Sequence, residues 1–291
     1  MAFLISKDKR IGRRKKVDRT YRKSLHDLDA LFDRYYHAKI SEGVADKTLE
    51  SYRLHYNTFA RYMSEERGLE LDVRLVTADI GRAYAAWLLK DRIQFDGHKY
   101  KPANAKKRGL SSRSAYDYVR GLRSMFRWLA AEGLIDHNPL ANVKNVRFAE
   151  REVDILTVEE IRALLATPDR RKYADFRDYV LMTLLLDGML RIGEALALQH
   201  SDIDFQSNTL SVRSQTSKGR KPRTVPIQSR TGRLLRELLA ETSDFDSTYV
   251  FLANYGEPLT ANHFRKRLRQ YASAAGIEKP VRPHMFRHTG A

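Results

Sequence analysis

The 291-residue sequence contains no cysteine. This absence excludes a disulfide framework, a zinc site with cysteine ligands and a thiol nucleophile. The sequence also lacks any apolar run near the roughly 18 residues that a transmembrane helix needs. At the N-terminus the charges follow the short apolar run at residues 3–5, which is the reverse of a secretory signal peptide. We therefore expect neither secretion nor a membrane span, and predict a cytoplasmic protein.

Acidic residues are also in short supply. The chain has 36 Asp and Glu against 53 Lys and Arg, which gives a formal net charge of +17 and a pI near 10.0. Such a surplus favours a polyanionic partner, either nucleic acid or an anionic membrane surface. Nucleic acid is the preferred interpretation, and a structural RNA binder or membrane-surface binder stays open as an alternative.

Residues 1–23 are predicted to be a basic N-terminal arm, and from residue 7 onward this arm has almost nothing to bury. The pattern is typical of a disordered or loosely helical segment. Its charges could simply aid solubility, but we prefer an interpretation in which they contact phosphates. The candidate contacts are Arg13, Arg14, Lys15 and Lys16.

Apolar spacing predicts a four-helix domain over residues 24–137. The first helix is expected at residues 25–40, the second ends at Gly68, Thr77 caps the third, and Ser111 or Ser112 opens the fourth. Between the last two, residues 93–110 lose the periodicity and form a basic loop. Charges along one face of a helix usually mean only that this face is exposed to solvent. On the fourth helix, however, nearly all the charges of that face are positive. The candidate DNA contacts here are Lys106, Lys107, Arg108, Arg113, Arg120 and Arg123.

Residues 138–154 break the helical pattern and are predicted to be a linker. A capping box at residues 157–160 then opens a second domain, 155–291. Residues 210–213, 223–227 and 249–252 are predicted strands, the first two joined by a hairpin at residues 217–221. Further basic residues of this hairpin are candidate DNA contacts. They are Arg213, Arg220, Lys221 and Arg223.

Arg191 stands among apolar residues, three positions before Glu194. An arginine in that setting is either paired or waiting for an anion. A buried ion pair with Glu194 at a helix start explains it without any function. The functional interpretation needs the rest of the second domain.

Lys218 on the hairpin turn and a His284-x-x-Arg287 pair complete a possible constellation with Arg191. Each of these features alone is more often structural. Together, two guanidiniums can hold the non-bridging oxygens of a phosphodiester and stabilise the charge of a five-coordinate transition state. A lysine can protonate the leaving 5′ oxygen, and a histidine can exchange protons. This chemistry needs no metal or other cofactor, and the sequence has no P-loop, HExxH or carboxylate cluster.

Three motifs occur in order: LRIGE at residues 190–194, SKGRKPRTVP at 217–226 and PHMFRH at 283–288. With the helix at residues 112–129, they resemble the tyrosine recombinases, or phage integrases, over nearly the whole chain. The resemblance implies a mainly α fold. It consists of an N-terminal four-helix, SAM-like core-binding domain and an α+β catalytic domain with a small antiparallel sheet, clamped around DNA.

The resemblance also implies roles for individual residues. Arg191 and Arg287 would clamp the phosphate, Lys218 would be the catalytic lysine and His284 the acid/base, with Glu194 and His288 in support. The family acts on double-stranded DNA at specific recombination sites, through a 3′-phosphotyrosyl intermediate and as a tetramer. A nucleoid-associated homo-oligomer is therefore expected.

The sequence departs from the family pattern in two places. The family glycine lies one residue from the arginine, whereas both Met189 and Leu190 separate Gly188 from Arg191, and Gly193 replaces a common hydroxyl residue. None of the fifteen tyrosines follows Arg287, although the family nucleophile lies beyond that box. We therefore expect a C-terminally incomplete catalytic domain that binds DNA without cleaving it. The chain is either most of a recombinase or a naturally short DNA-binding protein that occupies or regulates recombination sites.

Overall fold

The computed structural model describes residues 25–96, 100, 102, 104, 106–149, 154–214 and 221–289. The chain divides into two compact units, Met1–Glu150 and Arg151–Ala291, each with its own apolar core. The fold is mainly helical with one small sheet, which confirms the predicted fold class. Within the described ranges, no helix is both long and apolar enough to cross a bilayer.

Unit 1 (Met1–Glu150) contains four α-helices among the residues that the structure describes. They are α1 (Leu28–Ser41), α2 (Asp46–Arg61), α3 (Ala78–Lys90) and α4 (Ser112–Ala131). A π-helical turn, Tyr62–Glu66, extends α2, and a 3-10 turn, Val73–Leu75, precedes α3. Side-chain caps fix two of the starts, because Thr77 accepts from the backbone N–H of Ile80 and Ser111 from that of Ser114.

The first helix begins three residues later than predicted. Asp27 caps it by accepting the backbone N–H of Asp29, and Leu25, the first residue of the predicted helix, is 76% exposed. The core of unit 1 is rich in aromatic rings, and Phe32 of α1 stacks on Tyr56 of α2 with centroids 4.0 Å apart. Packing between helices, more than helix propensity, therefore holds α1 in place.

Two segments outside the four helices also belong to unit 1. Leu140 and Val143, from the predicted linker, are each 2% exposed and lie in the core. The predicted basic loop is anchored at its base, where Ile93 and Arg108 form an antiparallel bridge and the side-chain amide of Gln94 donates to the Gly109 carbonyl. Lys107 and Arg108 thus belong to the paired backbone at the base of the loop.

Unit 2 (Arg151–Ala291) contains six α-helices and three strands within its described residues. They are α5 (Val158–Ala166), α6 (Tyr173–Asp187), α7 (Ile192–Leu196), β1 (Ile203–Asp204), β2 (Thr209–Val212), β3 (Arg223–Pro226), α8 (Ser229–Glu241), α9 (Ala261–Ala274) and α10 (Pro283–Thr289). The predicted capping box of α5 is present, since Thr157 and Glu160 exchange side-chain and backbone hydrogen bonds. Most of α6 is buried, and α7, α8 and α10 pack against it.

The sheet is antiparallel in the order β1-β2-β3, with Leu210 opposite Val225. The prediction of a strand at residues 249–252 was wrong. Those residues make only isolated bridges, from Tyr249 to Gln199 and from Leu252 to Pro258. Val250, Phe251 and Leu252 are all at most 1% exposed, because this segment runs through the core instead of along a sheet. The third strand of the sheet is instead β1, which a short turn joins to β2.

A buried ion network, which the sequence analysis missed, joins α6 to α9. Arg177 and Asp178 are both completely buried, and two guanidinium nitrogens of Arg177 donate to Asp178 Oδ1 at 2.8 and 3.0 Å. Asp178 Oδ2 accepts from Arg267 and from the hydroxyl of Tyr271. Every polar atom here depends on its neighbours, since an unpaired buried charge is strongly unfavourable.

Candidate functional site

The turn between α6 and α7 places Arg191. Gly188 ends α6 with φ −83°, whereas Met189 adopts φ +48°. That left-handed region suits glycine and strains other residues. Leu190 is then buried and Arg191 is the N-cap of α7. A methionine therefore occupies the left-handed position of the turn that leads to Arg191.

Glu194 holds the arginine in position. Its carboxylate accepts the backbone N–H of Arg191 at 2.9 Å and the Arg191 guanidinium at 2.8 Å. Arg223 of β3 donates to both carboxylate oxygens, at 2.7 and 3.1 Å. The Glu194 side chain is 1% exposed, while Arg191 and Arg223 are 35% and 34% exposed. A buried carboxylate thus supports two arginines whose guanidiniums reach the surface.

The electrostatics of Glu194 follow from these contacts. Burial acts to raise the pKa of its carboxyl, but hydrogen bonds from Arg223 and from the backbone and side chain of Arg191 outweigh it and lower the pKa to about 2. Glu194 is consequently ionised throughout the physiological range. Arg191 is therefore paired with Glu194, as one of the two interpretations of the sequence predicted. About one third of its side chain is still exposed to solvent.

Helix α10 brings the other two predicted residues to the same turn. Arg287 Nη1 donates to the carbonyl of Met189 at 2.8 Å, two residues before Arg191. His284 is exposed one turn earlier on α10, and the apolar residues Met285 and Phe286 bury the helix against the core. The carbonyl of Met189 therefore holds Arg287 beside the turn that carries Arg191.

The surroundings of His284 lower the pKa of its imidazole. Partial burial contributes most, and the charges of His288, Arg265, Arg191 and Arg287 lower the pKa further. We expect a neutral imidazole near pH 7, which can accept a proton.

Other predicted site residues fall outside the described part of the chain. Lys218 and Arg220 lie in the segment 215–220, and Arg13, Arg14, Lys15 and Lys16 precede residue 25. Lys221 is exposed just before β3. No group of three His, Asp or Glu side chains that could hold a metal occurs among the described residues.

Two of the predicted DNA contacts have carboxylate partners within unit 2. Arg213 donates to both oxygens of Asp202 at 2.7 Å and to Gln199 at 2.6 Å, and Arg223 is bound to Glu194. Their charges were visible in the sequence, but their partners lie 11 and 29 residues away. These two guanidiniums stabilise the sheet side of unit 2, about one third of each is still exposed, and their assignment to DNA stays a prediction.

The basic face of unit 1 lies on α4. Arg120 is exposed, Arg123 donates to Asn145 at 2.8 Å, and Arg113 lies over the ring of Phe148 at 4.6 Å and pairs with Asp117 at 3.7 Å. Arg120, Arg123 and Arg127 line a cavity of about 750 Å³ with residues of α2. Lys106, Lys107 and Arg108 are exposed at the base of the basic loop. Unit 1 therefore presents a polar cationic groove.

The strain at Met189 gives a testable prediction. Met189→Gly should be more stable to unfolding than Met189→Ala by about 1 kcal/mol, because both variants lose the side chain but only glycine relaxes at positive φ. Urea denaturation followed by circular dichroism measures the difference. Equal stability of the two variants would mean that the left-handed turn carries no strain.

Two family models match the chain. The phage integrase SAM-like domain matches residues 27–146, and the phage integrase family matches residues 154–291. Among curated proteins, the tyrosine recombinase XerD of Listeria innocua is 28% identical over 271 residues, covering 91% of this chain and 84% of that protein. The tyrosine recombinase XerC of Chlamydia caviae is 27% identical over 262 residues, covering 83% and 78%.

Solved structures show the same fold. The Tn1549 transposon integrase in complex with transposon right end DNA has a TM-score of 0.66 at 18% identity, covering 91% of this chain and 85% of that one. A lambda integrase dimer bound to a COC′ core site has a TM-score of 0.64 at 19% identity, covering 90% and 88%. From the two family models, the recombinase relatives and this shared fold, the chain belongs to the phage integrase, or tyrosine recombinase, family of site-specific recombinases.

Proposed function

We propose that the chain binds double-stranded DNA and clamps one backbone phosphate between Arg191 and Arg287. The supporting observation is the Arg287 hydrogen bond to the Met189 carbonyl, which ties the second arginine to the turn that carries the first. Guanidinium groups suit the paired non-bridging oxygens of a phosphodiester. The same two groups would stabilise the extra negative charge of a five-coordinate phosphorus.

Proton transfer completes the proposed chemistry. In a polypeptide that supplies the nucleophilic tyrosine, the tyrosine oxygen forms a bond to phosphorus while its proton passes to the neutral imidazole of His284, whose pKa is lowered. The bond from phosphorus to the 5′ oxygen breaks, and Lys218, in the predicted hairpin turn, gives that oxygen a proton. Glu194 acts through the two arginines that it binds, not on the DNA. In this scheme the residues serve strand cleavage and rejoining at specific recombination sites, and the nucleoid is the place of action.

We also propose that the 291-residue polypeptide binds DNA without cutting it, since no tyrosine follows Arg287 and Tyr271 is 8% exposed. The hydroxyl of Tyr271 donates to Asp175 and Asp178, and burial together with the Asp178 charge raises its pKa. Incubation with nicked duplexes followed by denaturing electrophoresis should reveal no protein–DNA adduct. Covalent capture by this polypeptide would refute the proposal.

The proposed DNA binding is compatible with two kinds of protein. One is a recombinase whose tyrosine lies beyond residue 291, and the other is a naturally short protein that occupies or regulates recombination sites. Reading the coding DNA past codon 291 distinguishes them. An in-frame extension carrying a tyrosine supports the first kind, and an immediate native stop codon supports the second.

Assembly on DNA is part of the proposal. The lambda integrase tetramer bound to a Holliday junction shares this fold, with a TM-score of 0.63 at 19% identity. We infer that a complete recombinase of this kind likewise assembles as a homotetramer on two DNA sites. Analytical ultracentrifugation with and without duplex DNA measures the stoichiometry directly.

The α4 face gives a prediction about salt. Binding to a duplex of arbitrary sequence should weaken steeply as salt rises, because each phosphate contact releases counterions. Arg120→Gln/Arg127→Gln should reduce the slope of log K against log salt by up to about 1.8, or about 0.9 per lost contact. The matched control is Arg74→Gln/Arg82→Gln, which removes the same charge from residues paired with Asp72 and Asp79. Equal slopes for both variants would exclude α4 as a specific contact surface.

A further inference from the structure

A cavity beside the phosphate clamp has no role in the chemistry described so far. It has a volume of about 410 Å³ and lies between α7, α9 and the segment that leads into α10. Small-molecule sites commonly have volumes of about 300–1,000 Å³. The cavity is therefore large enough for one nucleotide unit.

The lining has an apolar floor and a cationic rim. Ile192, Val281 and Pro283 are buried and form part of the floor. Three exposed arginines, Arg265, Arg269 and Arg282, stand at its edge. None of the eight lining residues, all within the described part of the chain, is acidic. Such a surface fits a ligand with an apolar face and negatively charged ends.

Two of these arginines lie one turn apart on α9. Arg265 Nη1 donates to Asn262 at 2.8 Å, and Arg269 Nε donates to the carbonyl of Arg265 at 3.3 Å. Each of these hydrogen bonds uses one guanidinium donor of the five that an arginine carries. The pair is thus oriented by its own helix and can still bind phosphate oxygens.

The cavity is continuous with the clamp. Ile192, the residue that follows Arg191, lines the cavity, and so does His284, one turn before Arg287 on α10. A phosphate held by the clamp would consequently have the cavity as its immediate neighbour. In a DNA strand, that neighbouring volume holds the next sugar and base, followed by the next phosphate.

We propose that this cavity binds the nucleotide of the DNA strand adjoining the clamped phosphate. Its sugar or base packs on the floor formed by Ile192, Val281 and Pro283, and its far phosphate binds Arg265 and Arg269. The inference rests on the proposed clamp and extends it from one phosphate to a two-phosphate unit. Charge complementarity and continuity with the clamp favour this occupant.

The test uses thymidine 3′,5′-bisphosphate and inorganic phosphate as probes, with the His284 imidazole signals followed by NMR in the whole chain. The bisphosphate should bind at least about tenfold more tightly than phosphate, equivalent to about 1.4 kcal/mol. Arg265→Gln/Arg269→Gln should abolish this advantage, measured as the ratio of the two affinities, and should lower the affinity for phosphate alone no more than the control variant does. The matched control is Arg162→Gln/Arg233→Gln, which removes two exposed arginines from α5 and α8.

The outcomes separate the two proposals. If phosphate fails to shift the His284 signals, or if Arg191→Gln/Arg287→Gln leaves its binding unchanged, the clamp itself is wrong. If phosphate binds at the clamp but the bisphosphate binds no more tightly, the cavity proposal alone is overturned. Equal losses in the α9 variant and its control would also overturn it, because the effect would then be one of net charge.

Discussion

Asp178→Asn should destabilise unit 2 by about 3–5 kcal/mol, the usual loss when one partner of a buried ion pair is removed. Arg177 would keep its charge with no exposed surface, and Arg267 and Tyr271 would lose a carboxylate acceptor. A domain is stable by only about 5–15 kcal/mol in total. The substitution therefore removes a large part of the stability that holds α6, and with it the Arg191 turn.

The two units can be followed separately in this experiment. Both tryptophans, Trp87 and Trp128, lie in unit 1, so their fluorescence reports that unit while circular dichroism reports both. Urea denaturation of Asp178→Asn should shift the circular dichroism transition and leave the fluorescence transition in place. The matched control is Asp169→Asn, whose partner Arg171 is 92% exposed; no measurable change is expected at such a surface pair. If the two variants behave alike, the buried network does not stabilise unit 2.

Glu194→Gln is expected to have the second largest effect, a loss of about 2–3 kcal/mol at pH 7. Glutamine keeps the shape of the side chain but withdraws the negative charge that receives Arg191 and Arg223. Both arginines are about one-third exposed. Water can therefore compensate part of the loss, which makes the expected effect smaller than at Asp178.

The pH dependence of that loss identifies its cause. Folding lowers the pKa of Glu194 to about 2, so its stabilising contribution is complete above its ordinary pKa, near 4.5, and disappears as the pH falls toward 2. The gap in unfolding free energy between wild type and Glu194→Gln should thus be widest at neutral pH and close over this interval. A gap independent of pH would indicate a packing defect, and Glu159→Gln, an exposed glutamate of α5, provides the control.

Much of the local structure was predictable because its interactions join residues three or four positions apart. The capping box of Thr157 and Glu160, the caps at Thr77 and Ser111, and the pairing of Arg191 with Glu194 are all of this kind. Hydrogen bonds across one helical turn leave a fixed spacing in the sequence. The order of the three motifs was likewise enough to predict the family.

The third strand shows where local patterns fail. The apolar run at residues 249–252 has the composition of a strand, yet it is buried on every side and pairs only at Tyr249 and Leu252. The real strand β1 has just two residues. Its pairing depends on the chain reversing before Thr209, which composition does not show.

By itself, the sequence determined the helices and their caps, the cationic character and the residues of the three motifs. Only the tertiary structure decided which group each of three arginines binds. Arg223 binds Glu194, Arg267 binds Asp178, and Arg287 binds the Met189 carbonyl. These partners lie 29, 89 and 98 residues apart. An arginine seen in a sequence can pair with a distant carboxylate or remain open to phosphate, and the choice is made by the packing of helices and strands that brings the partners together.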